Sequence, residues 1–413
     1  MVRTKETKAV LSASVLATVL VAGTLLLLAV LGVFLLWDLH TGQAAAYHRK
    51  KQLQLHVESG FVLYAADSVA GSRMVQDSVY RLYEEEGNAC LRAERYLWGL
   101  YEVVTVATVE GNASSVRMFG KAHPGPQHPA LWVCNRRKAI SFAGTTALFG
   151  EAWLPENGLQ YVQMHARFFE GKPVEKEQIK TSGEQLPATD PAVRKNTEAL
   201  WQLPEDTLSG GNLSVRRSFR EAALCVGIAG ERLEGDARGR VILRGEHLVI
   251  GSESRLQDIL IVAASVRIES GFTGKVQVFA RDSVVLEEKV LLEYPSGIYL
   301  QGEAPEGYLK MGEACEVNGY VIVEGTAPLK GRPKARYIQP ENTRIRGLLW
   351  VNGIAQVQGS ITGSVWLCES YYFAPEGFYS NIFYNARFFA TDHFPYPLWQ
   401  ESAYERRCVQ WLY

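Results

Sequence analysis

"VILRGEHLVIG" (Val241–Gly251), "ILIVAASVRIE" (Ile259–Glu269) and "QVFARDSVVLE" (Gln277–Glu287) repeat at a step of 18 residues. Leu248, Val266 and Val284 align; so do Ile250, Ile268 and Leu286, and Ile242, Leu260 and Val278. Apolar and polar residues alternate inside each segment, the pattern of a half-buried strand. Two short strands per step, with apolar positions that recur, predict a single-stranded β-solenoid (β-helix). In such a fold the inward residues of one coil stack on those of the next, so a core forms without large helices. A second echo points the same way. "VNGYVIVEG" (Val317–Gly325) and "VNGIAQVQG" (Val351–Gly359) lie 34 residues apart, close to two such steps. Gly319, Gly325, Gly353, Gly359 and Gly363 then fall at corners, where a side chain or a negative φ is costly. The competing reading of the same pattern is an antiparallel sandwich.

Working outward, the solenoid is expected over 240–370. Its first coils are expected over 139–170, around "AISFAGTTALFGEAWLPENGLQYVQ" (Ala139–Gln163). Between them, 171–239 is charged and proline-bearing and reads as an excursion of mixed loop and helix. The tail, 371–413, is dense in aromatics and reads as a cap over unpaired strand edges. If it is instead a contact surface for glycan or a partner, Tyr371, Tyr372, Phe378, Tyr379, Phe383, Tyr384 and Trp399 are the residues that would carry it.

The N-terminus sets the compartment. A short basic head (1–8) precedes 29 residues, Ala9–Trp37, without a charge. About 20 apolar residues cross a bilayer core, and a signal-peptide core is shorter, about 7–15. The run therefore reads as an uncleaved single-pass anchor over 9–37. Basic residues flank it on both sides, Arg3, Lys5 and Lys8 before and Arg49, Lys50 and Lys51 after, so charge leaves orientation open. An inside N-terminus is chosen because eight residues cannot be the working part. Beyond the span, Leu53, Val57, Phe61 and Tyr64 step by three or four along one helical face. A second short helix is expected across Met74, Val75, Val79, Leu82 and Tyr83, followed by β-rich sequence from Tyr96, so that 38–138 forms a helix with a small α/β unit.

Net charge is −1, which gives no basic face for nucleic acid. The six cysteines are scattered without C-x-x-C, so no zinc or redox motif is expected; disulfides are permitted outside the cytoplasm, with pairing open. His123 and His128 flank a proline-rich loop, a poor metal site. No hydrolase, metalloprotease or phosphate-loop motif is found, and no cofactor is expected. Asp258 and Glu269 lie on neighbouring coils, and Glu246 and Asp282 share a repeat column with Ala264 between them. A carboxylate pair there would be the signature of a sugar-cleaving solenoid; solvated surface charge is the plainer reading.

The "HVESGFVLYAADS" that follows the anchor resembles the start of pilin-like proteins, especially minor pilins and minor pseudopilins, although no glutamate falls between Ala9 and Trp37. With "TALFGEAWLPENGLQYV", "VQGSITGSVWL" and "APEGFYSNIFYNARF", the chain resembles a group of single-pass envelope proteins of the Bacteroidetes. The glycine-marked coils are similar to bactofilins. That group has no established activity, so the resemblance implies only a fold and an inner-membrane anchor with the bulk facing the periplasm. The expectation is a non-enzymatic, minor-pilin-like assembly component. Leu53, Val57, Phe61 and Tyr64 would be its helix–helix face, and membrane lipid and other pilin-like subunits its partners. The alternative is a module that binds cell-wall or surface glycan.

Overall fold

The uncharged run becomes the first part of one unbroken helix, α1 (Ala13–Ala66). Leu, Ala and Val supply helix propensity and apolar surface, and no proline interrupts the chain before Pro124. The computed structural model describes residues 13–66, 78–82, 90–109, 111–123, 128–210, 212–302, 307–325, 335–391, 393–401 and 405–412. Leu16, Leu20, Leu27, Phe34 and Trp37 are all exposed. A helix this apolar with nothing packed on it is a candidate single membrane span.

The far end of α1 is amphipathic and packed. Val57, Phe61 and Tyr64 are buried with Leu91, Ala93, Val104, Val106 and Phe119. Those partners belong to a five-stranded antiparallel sheet ordered Ser78–Arg81, Cys90–Trp98, Tyr101–Thr108, Ser114–Lys121, Arg406–Leu412. Gly60 lets the helix lie close: a Cβ there would come within 2.8 Å of both Leu91 and Val106. Arg117 bonds Glu58 and stacks between Phe61 and Trp411, 4.2 and 4.1 Å from their ring centroids.

This unit corrects two expectations. Val79 lies in a strand, not a helix, and pairs with Arg92. Leu82 follows that strand in a bend, and Met74, Val75 and Tyr83 lie outside the described residues. A free sheet edge overrides a weak helical pattern. The sheet also takes its fifth strand from the C-terminus, so 405–412 is not part of a cap.

The remainder is mainly β, built from three ladders of parallel strands around one core. The first ladder carries an inward column Val226, Leu243, Ile261, Val278, Ile298, Val321, Leu349, Val365, Leu131 and Ala152, each paired with the next. All ten are 0–1% exposed. The second runs Leu248, Val266, Val284, Leu309, Tyr337 and Ala355. The third runs Leu292, Val317, Ile345, Ile361, Phe388 and Leu148. Burying a Val, Leu or Ile completely contributes about 1.5–3 kcal/mol, so the columns are the main source of cohesion.

Chain order and spatial order differ. The strands Leu131–Val133, Ala147–Phe149 and Ile140–Ala143 pair with Val365–Leu367, Arg387–Phe389 and Ile382–Tyr384. Residues 139–170, expected as the first coils, therefore lie at the far end of the stack. The chain then crosses back through α2 (Pro191–Leu200) and restarts at Thr207–Ser209. Stacking begins there, not at 240, so half of the expected polar excursion is ladder.

The outward side of the first ladder is also apolar. Val262, Phe279, Tyr299, Ile322, Trp350, Trp366, Trp132 and Trp153 form one column. Exposed, it would be a large sticky stripe. The antiparallel sheet, α2 and the segment around Tyr396–Trp399 cover it and share a second core with it.

Candidate functional site

The cover over that aromatic column is incomplete, and the gap is the chief candidate site. Asp190 caps α2 by accepting from Ala192 N at 2.8 Å, and Pro191 sits in the first turn, where its missing N–H is not needed. Asp190 N donates to Trp399 O at 2.8 Å, which fixes the helix over the ladder. Val193, Thr197 and Leu200 face inward. Between this segment and the ladder lie two adjoining hollows of about 500 and 370 Å³. They share Arg194, Glu324, Gly325 and Asn352.

Their polar groups are partly self-satisfied. Arg194 donates to Glu324 at 2.8 Å, and Tyr299 OH donates to the other oxygen at 3.0 Å. Burial pushes the Tyr299 phenol up, so it stays a neutral donor. Trp350 lines the larger hollow, yet its Nε1 is buried with no hydrogen-bond partner, as is that of Trp399 beside it. A buried donor without a partner costs roughly 1–3 kcal/mol. Arg136 and Glu369 stand at the same hollow, with the Cys368 thiol. The arrangement suits a polar, uncharged or zwitterionic ligand with hydroxyl acceptors. It offers no nucleophile paired with a base.

The aromatic tail splits in two. Phe383, Tyr384 and Trp399 are buried, with Trp399 packed 5.5 Å from Tyr299. These three are core, which corrects their place in a contact surface. Phe378 and Tyr379 are exposed on the hairpin that Gly377–Ser380 makes with the end of Gly359–Ala374; Phe373 is exposed beside them. Tyr371 and Tyr372 are half-buried there, with Tyr371 6.1 Å from Phe378. Phe373 was not foreseen, although its place in "YYFAPEGFY" before a turn is a readable hairpin signal.

The helix face is likewise corrected. Val57, Phe61 and Tyr64 are used inside the molecule, and Leu53, half-buried, leans towards Gly111. The surface that α1 leaves open beyond the span is the other one, with Leu55, Val62 and Leu63.

The carboxylate column does not hold together. Glu246 is exposed, and Asp282 sits in a register irregularity opposite Ala264. Glu269 binds Arg232, which holds its carboxyl below the usual range. Asp258 accepts from Gln410 at 2.7 Å, and burial pushes its carboxyl up. His123 and His128 stack at 4.0 Å, and no group of three metal-binding side chains occurs among the described residues. Comparisons with protein families, with curated proteins and with solved structures find no match.

Proposed function

We propose that the chain is a non-enzymatic, membrane-anchored structural or assembly protein of the cell envelope. The three ladders are read as the faces of a β-solenoid, held off the inner membrane on the periplasmic side by α1. The observation that carries this reading is the continuity of α1. One helix leaves the span and seats Val57, Phe61 and Tyr64 in the sheet of the head, so anchor and head form one piece. A helix docked on an antiparallel sheet also supports the pilin-like resemblance. Because that face is occupied, contacts with other pilin-like subunits fall to the span and to Leu55, Val62 and Leu63. Cross-linking in native membranes with mass spectrometry tests this. Links from residues 13–63 to other single-pass proteins are expected; links to lipid-facing neighbours of no consistent identity would overturn it.

A second reading, a glycan-binding module, is favoured by the unpartnered Trp350 Nε1 in the hollow and by Phe373, Phe378 and Tyr379 on the hairpin. It expects the protein in detergent to bind soluble cell-wall or capsular oligosaccharide, and Trp350→Phe to weaken that binding several-fold. Equal binding by the variant would remove the hollow from consideration.

A further inference from the structure

We propose that Cys134 and Cys368 are the site of a disulfide that ties the out-of-order segment to the rest of the stack. The two residues are 234 apart in the chain, and their sulfurs are 2.9 Å apart. The register explains the meeting. Val133 pairs with Leu367, and Cys134 N donates to Leu367 O at 2.9 Å, so the next residues on the two parallel strands stand side by side. Neighbouring strands are about 4.7–4.9 Å apart, inside the 4.4–6.8 Å that disulfide-linked Cα atoms span. Bond formation therefore needs no rearrangement of the backbone.

The surroundings give the chemistry an order. Cys134 is 1% exposed, whereas Cys368 is 8% exposed and lines the larger hollow. The hydrogen bond from Cys134 holds the Cys368 thiol below its ordinary range; burial opposes it and Arg136 adds to it. Cys368 is thus the thiolate that meets an incoming reagent. In thiol–disulfide exchange with a donor disulfide R–S–S–R, the Cys368 sulfur bonds one donor sulfur and releases RS⁻. Cys134 then gives up its proton and bonds the Cys368 sulfur, and the second RS⁻ leaves. Two protein thiols are oxidised to one disulfide, and the donor is reduced to two thiols.

The bond falls where the fold lacks covalent support. Residues 128–181 reach the far end of the stack only through strand pairing with 365–389. A cross-link at that seam converts the pairing into a covalent join.

The test uses the full chain in detergent and oxidised glutathione as the donor, with free thiols blocked under denaturing conditions and the peptides mapped. A Cys134–Cys368 peptide is expected as the main disulfide. In Cys134→Ser, glutathione is expected to accumulate on Cys368; in Cys368→Ser, modification of Cys134 is expected to be about tenfold slower or more. Blocked, unlinked Cys134 and Cys368 after oxidation, or a different main pairing, would overturn the proposal. The wild-type map decides the pairing whether or not a serine variant folds.

Discussion

At the scale of single residues, the fold rests on a column of glycines and on one buried lysine. Gly319, Gly347 and Gly363 stack level on level at φ of 139°, 133° and 145°. A Cβ on Gly347 would lie 1.9 Å from Gly319 O. Neither the angle nor the contact admits a side chain. Gly347→Ala should destabilise the protein by more than about 3 kcal/mol, since strain and backbone overlap add. Gly158→Ala, also at positive φ but with open space around it, should cost only about 1–2 kcal/mol. Thermal unfolding of both in detergent checks the contrast. Lys121 is fully buried and donates to Gln400 O. Burial brings its ammonium down to about 8, against the pull of Asp190 and Glu401. The unfolded chain, with an ordinary lysine near 10.5, binds more protons between pH 8 and 10.5, so this group makes stability rise with pH across that window. The gain is of order 3 kcal/mol. Above pH 10 the buried phenols work the other way: Tyr96, pushed up to about 12, resists ionising in the fold. The difference between wild type and Lys121→Met isolates the lysine. We expect that difference to grow from pH 8 to pH 10; a flat difference would remove the buried charge from the account.

At the scale of elements, legibility followed the strength of the local pattern. The span was readable because nothing else writes 29 uncharged residues. The docked end of α1 was readable as a stripe, but its partner was not, because the sheet that covers it comes from distant chain, including the C-terminus. The 18-residue step was real for Leu248–Val266–Val284 and for Ile250–Ile268–Leu286. It slipped for the third column: Asp258, at φ 61°, is an extra residue, so Leu260 pairs with Gln277 and Ile261 with Val278. The V-N-G echo misled. Val317 pairs with Ile345, not Val351, and Val351 pairs with Val323 and Leu367, because levels differ in length. The strands between Thr207 and Gly239 were missed because Arg216, Arg217, Arg232 and Arg238 dilute an inward set of Leu213, Val226, Leu233 and Ala237. The hollow was not legible at all; it is made by α2 lying over residues from five other parts of the chain. A direct check at this scale is Phe61→Glu. It places a charge among Tyr64, Phe119 and Val104, and should cost about 3–5 kcal/mol and expose residues 47–65 to protease. Protection equal to wild type would mean that α1 is not seated as described.

At the scale of the whole molecule, the chain is folded back on itself. Its early strands close the far end of the stack, its last strand returns to the sheet beside α1, and the outward aromatic column is sealed by what lies between. Such closure makes a head that cannot easily fray from either end, and α1 carries that stiffness towards the span. The central claim is that anchor and head move as one body. The measurement that tests it most directly is the distance distribution between two genetically encoded, non-cysteine spin labels. One replaces His48 on α1 and the other the exposed Arg216 on the stack, in the full chain in bilayer discs. We expect one narrow distance, the same in detergent and in the bilayer. A broad or multiple distribution would contradict the claim and make α1 a flexible tether.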